Sequence, residues 1–169
     1  MEKVLKVICY LKKEGLIKDF AIGGGIAVLY YTEPFLTYDL DIYFIPVKEG
    51  IDVLAPVYNF LKKKDYKISK EHIMVEGVPV RFIPVYNDLI KEAVLHSRKV
   101  KYGTQESQVV ALEYLIAILV QTYRAKDRER LVTILEVKKY DSKRLTSILK
   151  KFNLYDKFIK FRSGRFGKD

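Results

Sequence analysis

Two short stretches carry residue types that could do chemistry. The first is Thr37-Tyr38-Asp39-Leu40-Asp41-Ile42. In an extended chain, alternate residues share a side, with Cα atoms roughly 6–7 Å apart. Asp39 and Asp41 would then point together while Leu40 and Ile42 face a core. Side-by-side carboxylates repel, and a divalent cation removes the conflict. Mg²⁺ takes one or two carboxylates and fills its remaining positions with water and substrate phosphates. The polar face of an edge strand would also alternate in this way, although Asp is a poor strand former. The second stretch is Gly23-Gly24-Gly25, directly after the apolar run Phe20-Ala21-Ile22. Glycines between a strand and a helix let backbone N–H groups approach an anion at the helix N-terminus. Such turns are common. This one matches neither Gly-x-Gly-x-x-Gly, which fails at Val28, nor the Gly-Lys-Ser/Thr of a P-loop. Other chemistries lack their residues. Cys9 is the single cysteine, so no internal disulfide forms, and His72 and His96 are too few for Cys/His zinc chelation. Neither histidine has a Ser or Cys partner at the spacing of a nucleophilic triad.

The elements that would position these residues follow from periodicity and punctuation. Residues Glu2–Glu14 read as a helix ended by Gly15. Asp19–Gly23 reads as a strand entering the glycine turn, and Ile26–Tyr31 as a short helix closed by Pro34. Asp39–Val47 is the most strand-like segment. Ile51–Lys64 reads as a helix with Asp52 in its first turn, and Lys67–Glu76 with Val78–Val85 as two strands around Gly77. Asn87 caps a helix that runs to His96. Arg98–Val110 is ambiguous between loop and short strand. Ala111–Tyr123, Lys126–Lys138 and Ser142–Phe152 read as three helices, with Ser142 at an N-cap. Arg162–Asp169 reads as a loose end. The result is an α+β chain: a mixed sheet with flanking helices over residues 1–104, then a C-terminal helical region over 105–169 with a basic tail.

Composition limits what the chain does. Of 169 residues, 49% are hydrophobic and 31% charged, enough to bury a core and to exclude wholesale disorder. No apolar run reaches the roughly 18 residues of a membrane span, and the longest, around Ala111–Val120, is interrupted by Glu113. Met1-Glu2-Lys3 does not open a secretory signal. A cytoplasmic protein without membrane association is expected. The net charge is +10, and residues 136–169 hold 11 basic and 4 acidic side chains. That basic end would suit nucleic acid or a cognate protein partner, and would equally suit a solvated helical face.

The order and spacing of the two motifs resemble the DNA polymerase beta-like nucleotidyltransferase superfamily. Its pattern is an apolar residue, Gly-Gly or Gly-Ser, a gap, then Asp-apolar-Asp-apolar. Here it reads Ile22-Gly23-Gly24, fourteen residues, and Asp39-Leu40-Asp41-Ile42. Gly24-Gly25-Ile26-Ala27, Thr37 and Arg124-Ala125-Lys126-Asp127-Arg128 further resemble the small prokaryotic nucleotidyltransferases of the type IV toxin–antitoxin kind. The resemblance implies a nucleotidyltransferase-like fold. It implies that Gly23, Gly24 and Gly25 hold a nucleoside triphosphate, and that Asp39 and Asp41 are catalytic and bind Mg²⁺. Thr37 would bond near the phosphates or hold the strand entrance. Arg124, Lys126 and Arg128 would meet phosphate or simply start a helix. Active members usually carry a third carboxylate on a later strand. On Val78–Ile83 no carboxylate shares the face of Pro79, Arg81 and Ile83, and Arg81 stands nearest the place, among the residues expected to meet the nucleotide. Glu71, Glu76 and Asp88 lie nearby without matching the pattern. The implied activity is Mg²⁺-dependent transfer of a nucleoside monophosphate from NTP to a hydroxyl on a protein, an RNA or a small molecule. The alternative is an inactive member that binds a cognate protein or nucleic acid, as a toxin–antitoxin component would.

Overall fold

A computed structural model describes residues 1–32 and 36–167. In chain order the elements are α1 (Glu2–Lys13), β1 (Ile17–Ile22), α2 (Gly24–Tyr31), β2 (Leu40–Pro46), α3 (Ala55–Lys63), β3 (Lys67–Ser69), β4 (His72–Val75) and β5 (Val78–Pro84). They continue with α4 (Asp88–Leu95), β6 (Arg98–Tyr102), β7 (Gln105–Val109), α5 (Leu112–Thr122), α6 (Ala125–Val137), α7 (Ser142–Lys151) and α8 (Tyr155–Phe166). The strands form one mixed sheet in the order β3-β4-β5-β2-β1-β7-β6. β1 runs antiparallel to β2, and β5 runs parallel to it. The α+β class expected from the sequence is the class observed. No described helix is long and apolar enough to cross a membrane.

Registered residues on neighbouring strands point to the same side. Phe20 opposes Phe44, Ile22 opposes Ile42, and Ile42 stands beside Phe82. These side chains form one apolar layer, and each is at most 3% exposed. α1 packs on β1 and β7, and its Tyr10 meets Phe60 of α3. The periodicity of Val4, Leu5, Ile8 and Leu11 is what buries it. α5 is the central helix. Every residue from Leu112 to Val120 is buried, and α2, α4, α6 and α7 all pack against it. Its one buried acid, Glu113, accepts a hydrogen bond from the Asp141 N–H at 2.9 Å and faces Arg144 at 3.7 Å. This ties the C-terminal helices to the core.

Several boundaries differ from the sequence reading, for physical reasons. Gly24 and Gly25 already belong to the first turn of α2, and Gly23 is its extended N-cap. Lys67–Glu76 splits into β3 and β4 because Lys70 takes a left-handed conformation, φ 54°. Residues Arg98–Val110 form a full hairpin, β6–β7, turning at Gly103; their polar alternation is that of a half-exposed edge. Asp52 lies before α3, where its Oδ1 accepts from the Ala55 N–H at 3.2 Å. Asp141 caps α7, accepting from the N–H groups of Lys143 and Arg144; Ser142 is already helical. Asn87 caps α4 as expected, accepting from the Ile90 N–H at 2.9 Å. Arg162–Phe166 belongs to α8 and is not loose. Pro34, expected to close α2, lies outside the described residues.

Candidate active site

Leu40 and Ile42 are fully buried in the apolar layer. The pleat therefore sends Asp41 to the opposite face, where it is 5% exposed. The Gly23 N–H donates to the Asp41 carbonyl at 2.9 Å, which continues the β1–β2 pairing into the first turn of α2. That turn lies flat against the carboxylate. Gly24 has φ +55°, a region that costs other residues strain, and a β-carbon there would overlap Asp41 Oδ2. One at Gly23 would overlap the ring of Tyr43, which lies two residues along from Asp41. The expected meeting of glycine turn and carboxylate is thus a contact, and glycine is the residue type it requires.

Arg81 closes the other side. On the parallel pair β2–β5, Asp41 stands directly beside Arg81. Arg81 Nε and Nη2 donate to Asp41 Oδ1 at 2.8 and 2.7 Å, and its Nη1 lies 3.6 Å from Glu71 Oε2. Burial pushes the Asp41 carboxyl above its usual range; the Arg81 charge opposes this and the charge of Asp39 adds to it. Asp39 was expected inside the strand but precedes it by one residue. It stays within the electrostatic reach of Asp41 and Arg81. His72 Nε2, buried and without a hydrogen bond among the described residues, lies 3.6 Å from Asp39 Oδ2. Ile73, Val80 and Leu40 form one row across β4, β5 and β2. The next step along brings His72, Arg81 and Asp41 to one place. Glu76 is engaged elsewhere, accepting from the Tyr66 hydroxyl at 2.8 Å.

The α5–α6 junction supplies a second wall. Tyr123 ends α5 in a left-handed conformation, φ 52°, and the chain turns at once into α6. Asp127, fully buried, accepts from Thr122 Oγ1 at 2.8 Å, from the Arg124 N–H at 3.1 Å and from Arg124 Nε at 2.8 Å. Burial alone would raise its carboxyl, but these donors hold it below the usual range. The charge of Arg124 is felt at Tyr43 and Tyr86, and the charge of Asp41 at Arg124. Arg130, one turn beyond Asp127, reaches Gly25: a β-carbon there would lie 2.9 Å from Arg130 Nη2 and would overlap Thr37 Oγ1.

Of the residues singled out in the sequence, Gly23, Gly24, Gly25, Thr37, Asp39, Asp41, Arg81 and Arg124 are gathered here. Lys126 is exposed, and no described contact ties it to the carboxylates. Arg128 turns away, with its guanidinium 5.4 Å from the Tyr123 ring, and lines a groove with Phe161 and Arg165. Tyr43, His72, Tyr86 and Arg130 join the site without having been singled out. The strand period from Asp41 reaches Tyr43, and the helix period from Asp127 reaches Arg130. His72 and Tyr86 depend on sheet order, which carries no local signal.

No group of three or more His, Cys, Asp or Glu residues gathers as a metal cage among the described residues. A Mg²⁺ ion held by Asp39 and the Arg81-free oxygen of Asp41, with substrate phosphates and water, still falls within that ion's habits.

No family model and no curated protein matches the sequence. Solved structures do. An antigenic nucleotidyltransferase-like protein from Paracoccidioides brasiliensis aligns over 98% of this chain and 95% of its own, at 13% identity and TM-score 0.56. The antibiotic-resistance factor ANT(2'')-Ia aligns over 95% of each chain, at 11% identity and TM-score 0.54. At such identities the likeness is one of fold. The chain has a nucleotidyltransferase-like α+β fold.

Proposed function

We propose that this chain binds a nucleoside triphosphate with Mg²⁺ and transfers the nucleoside monophosphate to a hydroxyl on a protein, an RNA or a small molecule. The observation carrying this reading is the buried Asp41 carboxylate packed on Gly24 at the start of α2, with Asp39 beside it. Asp39 and Asp41 would hold the Mg²⁺, which supplies charge neutralisation for the triphosphate and for departing pyrophosphate. The first-turn N–H groups of α2 face the phosphates, where a helix N-terminus favours an anion. Arg81 holds the Asp41 carboxylate in one orientation. Arg124 adds positive charge on the side of Tyr43 and Tyr86. The acceptor oxygen bonds to the α-phosphorus, the α–β bridge breaks, and pyrophosphate leaves with the hydroxyl proton released. Most of the rate gain in such a site comes from positioning and electrostatics.

The Arg81–Asp41 ion pair favours a second reading. A guanidinium on the carboxylate supplies the positive charge that a metal would otherwise bring, as in a fold that no longer does chemistry. The chain would then bind a cognate protein or nucleic acid in the cytoplasm through its basic C-terminal region, as a toxin–antitoxin component. Calorimetric titration with each NTP plus Mg²⁺, paired with a radiolabel transfer assay, separates the two. The transferase reading expects binding and transfer in the wild type and loss of transfer in a folded Asp39→Asn. Equal behaviour of the two proteins refutes it. Absence of NTP binding together with partner affinity untouched by Asp39→Asn establishes the second.

A further inference from the structure

A cavity lies between α1 and the sheet, on the face away from Asp41. Phe20 and Ile22 share that face, and Ile22 stands beside Val109. Ser107, two residues before Val109, projects to the same side. Val100 stands opposite Ser107 on the edge strand β6. α1 packs over β1 and β7. Its Cys9 Sγ donates to the Glu106 carbonyl at 3.4 Å and accepts from Gln105 Nε2 at 3.3 Å. Cys9, Phe20, Val100 and Ser107 line a cavity of about 350 Å³, at the small end of ligand pockets.

Three observations say what such a cavity takes. Ser107 is 9% exposed, and its Oγ is buried without a hydrogen-bond partner among the described residues. A buried hydroxyl ordinarily finds a partner. Phe20 and Val100 beside it are apolar and at most 7% exposed, so a ligand with an apolar body gains by lying on them. The lining charge is positive: Lys12, Lys99 and Lys101 against Glu106. Lys12 pairs with Asp19 and Lys101 with Glu106, and no described carboxylate pairs with Lys99. Cys9 is a wall and not a nucleophile. Burial pushes its thiol above the usual range, and only the thiolate attacks.

We propose that this cavity binds, without covalent capture, a small carboxylate with a compact apolar body such as a single ring. The body lies on Phe20 and Val100, a carboxylate oxygen accepts from Ser107 Oγ, and the surplus lysine charge favours the anion. The site stands apart from the candidate active site and does not depend on the transferase reading.

The probe is benzoate, with benzyl alcohol and benzylamine as its neutral and cationic counterparts. Cys9 is the single cysteine, so its alkylation by N-ethylmaleimide, followed by intact-mass spectrometry, reports on this cavity alone. Millimolar benzoate is expected to slow alkylation along a saturating curve, with the same Kd by titration calorimetry. Benzyl alcohol should protect more weakly and benzylamine not at all. Ser107→Ala should weaken benzoate about tenfold, the scale of one hydrogen bond to a charged group. Lys99→Gln should weaken it by a smaller factor. Ser107→Ala deletes only an unpaired hydroxyl, and melting curves verify the fold. Lys99→Gln alters an exposed side chain and keeps the test open should Ser107→Ala unfold. Benzoate that leaves Cys9 as reactive as before overturns the site. Protection equal in the wild type and both variants, or equal with benzylamine, overturns it too.

Discussion

Replacing Gly24 by Ala tests the contact on which the site is built. Two costs arise. The left-handed φ of +55° penalises a β-carbon by about 1–2 kcal/mol. The same carbon overlaps Asp41 Oδ2, so the carboxylate must move and loosen its two bonds from Arg81. A hydrogen bond to a charged group contributes about 1.5–3 kcal/mol. The sum is about 2.5–5 kcal/mol, which for a chain of this length lowers Tm by roughly 5–20 °C. A double-mutant cycle isolates the second cost. In an Asp41→Ala background the clash is gone, and Gly24→Ala should cost only the backbone strain. Chemical denaturation of the four proteins gives the coupling, expected at about 1.5 kcal/mol or more. Equal costs in both backgrounds, within about 0.5 kcal/mol, would show that Gly24 and Asp41 are not in contact and would dismantle the site.

Three further outcomes are expected. Asp127→Ala strips Arg124 and Thr122 of their buried acceptor and should cost about 1.5–3 kcal/mol, the scale of hydrogen bonds to a charged group, read as a fall in Tm. Because the folded Asp127 carboxyl lies below its usual value, its contribution is complete above about pH 4 and fades as pH falls through the folded value; Asp127→Asn should flatten that acid limb in a pH series of melts. Arg81→Asp replaces the guanidinium on Asp41 by a third carboxylate, and should tighten Mn²⁺ binding followed by electron paramagnetic resonance; unchanged affinity would mean that Arg81 does not govern the cation. Asn87→Ala removes the α4 cap and should cost about 1 kcal/mol without changing nucleotide affinity.

Local patterns were legible in the sequence and long-range ones were not. The Asp-Leu-Asp-Ile alternation and the glycine run declare themselves within a few residues, because strand period and turn chemistry are short-range. The pairing of Arg81 with Asp41 needed the order β5-β2, which no local feature encodes. Arg130 was hidden by its surroundings: Arg128-Glu129-Arg130 reads as a solvated charged face until the phase of α6 is known. The β6–β7 hairpin escaped because Lys99, Lys101, Glu106 and Gln108 make an edge look like a loop. The last helix escaped because Gly164 and the basic residues around it imitate a frayed end.

The roof that Tyr43 lays over Gly23 sets a limit on how this protein can be altered. The backbone beneath it has already surrendered every side-chain atom, so no exchange within the glycine run can make room there. Beside Gly23, room for a bulkier guest would come from shortening the phenol overhead. A change of ligand preference would therefore register first at position 43, and the three glycines would stay as they are.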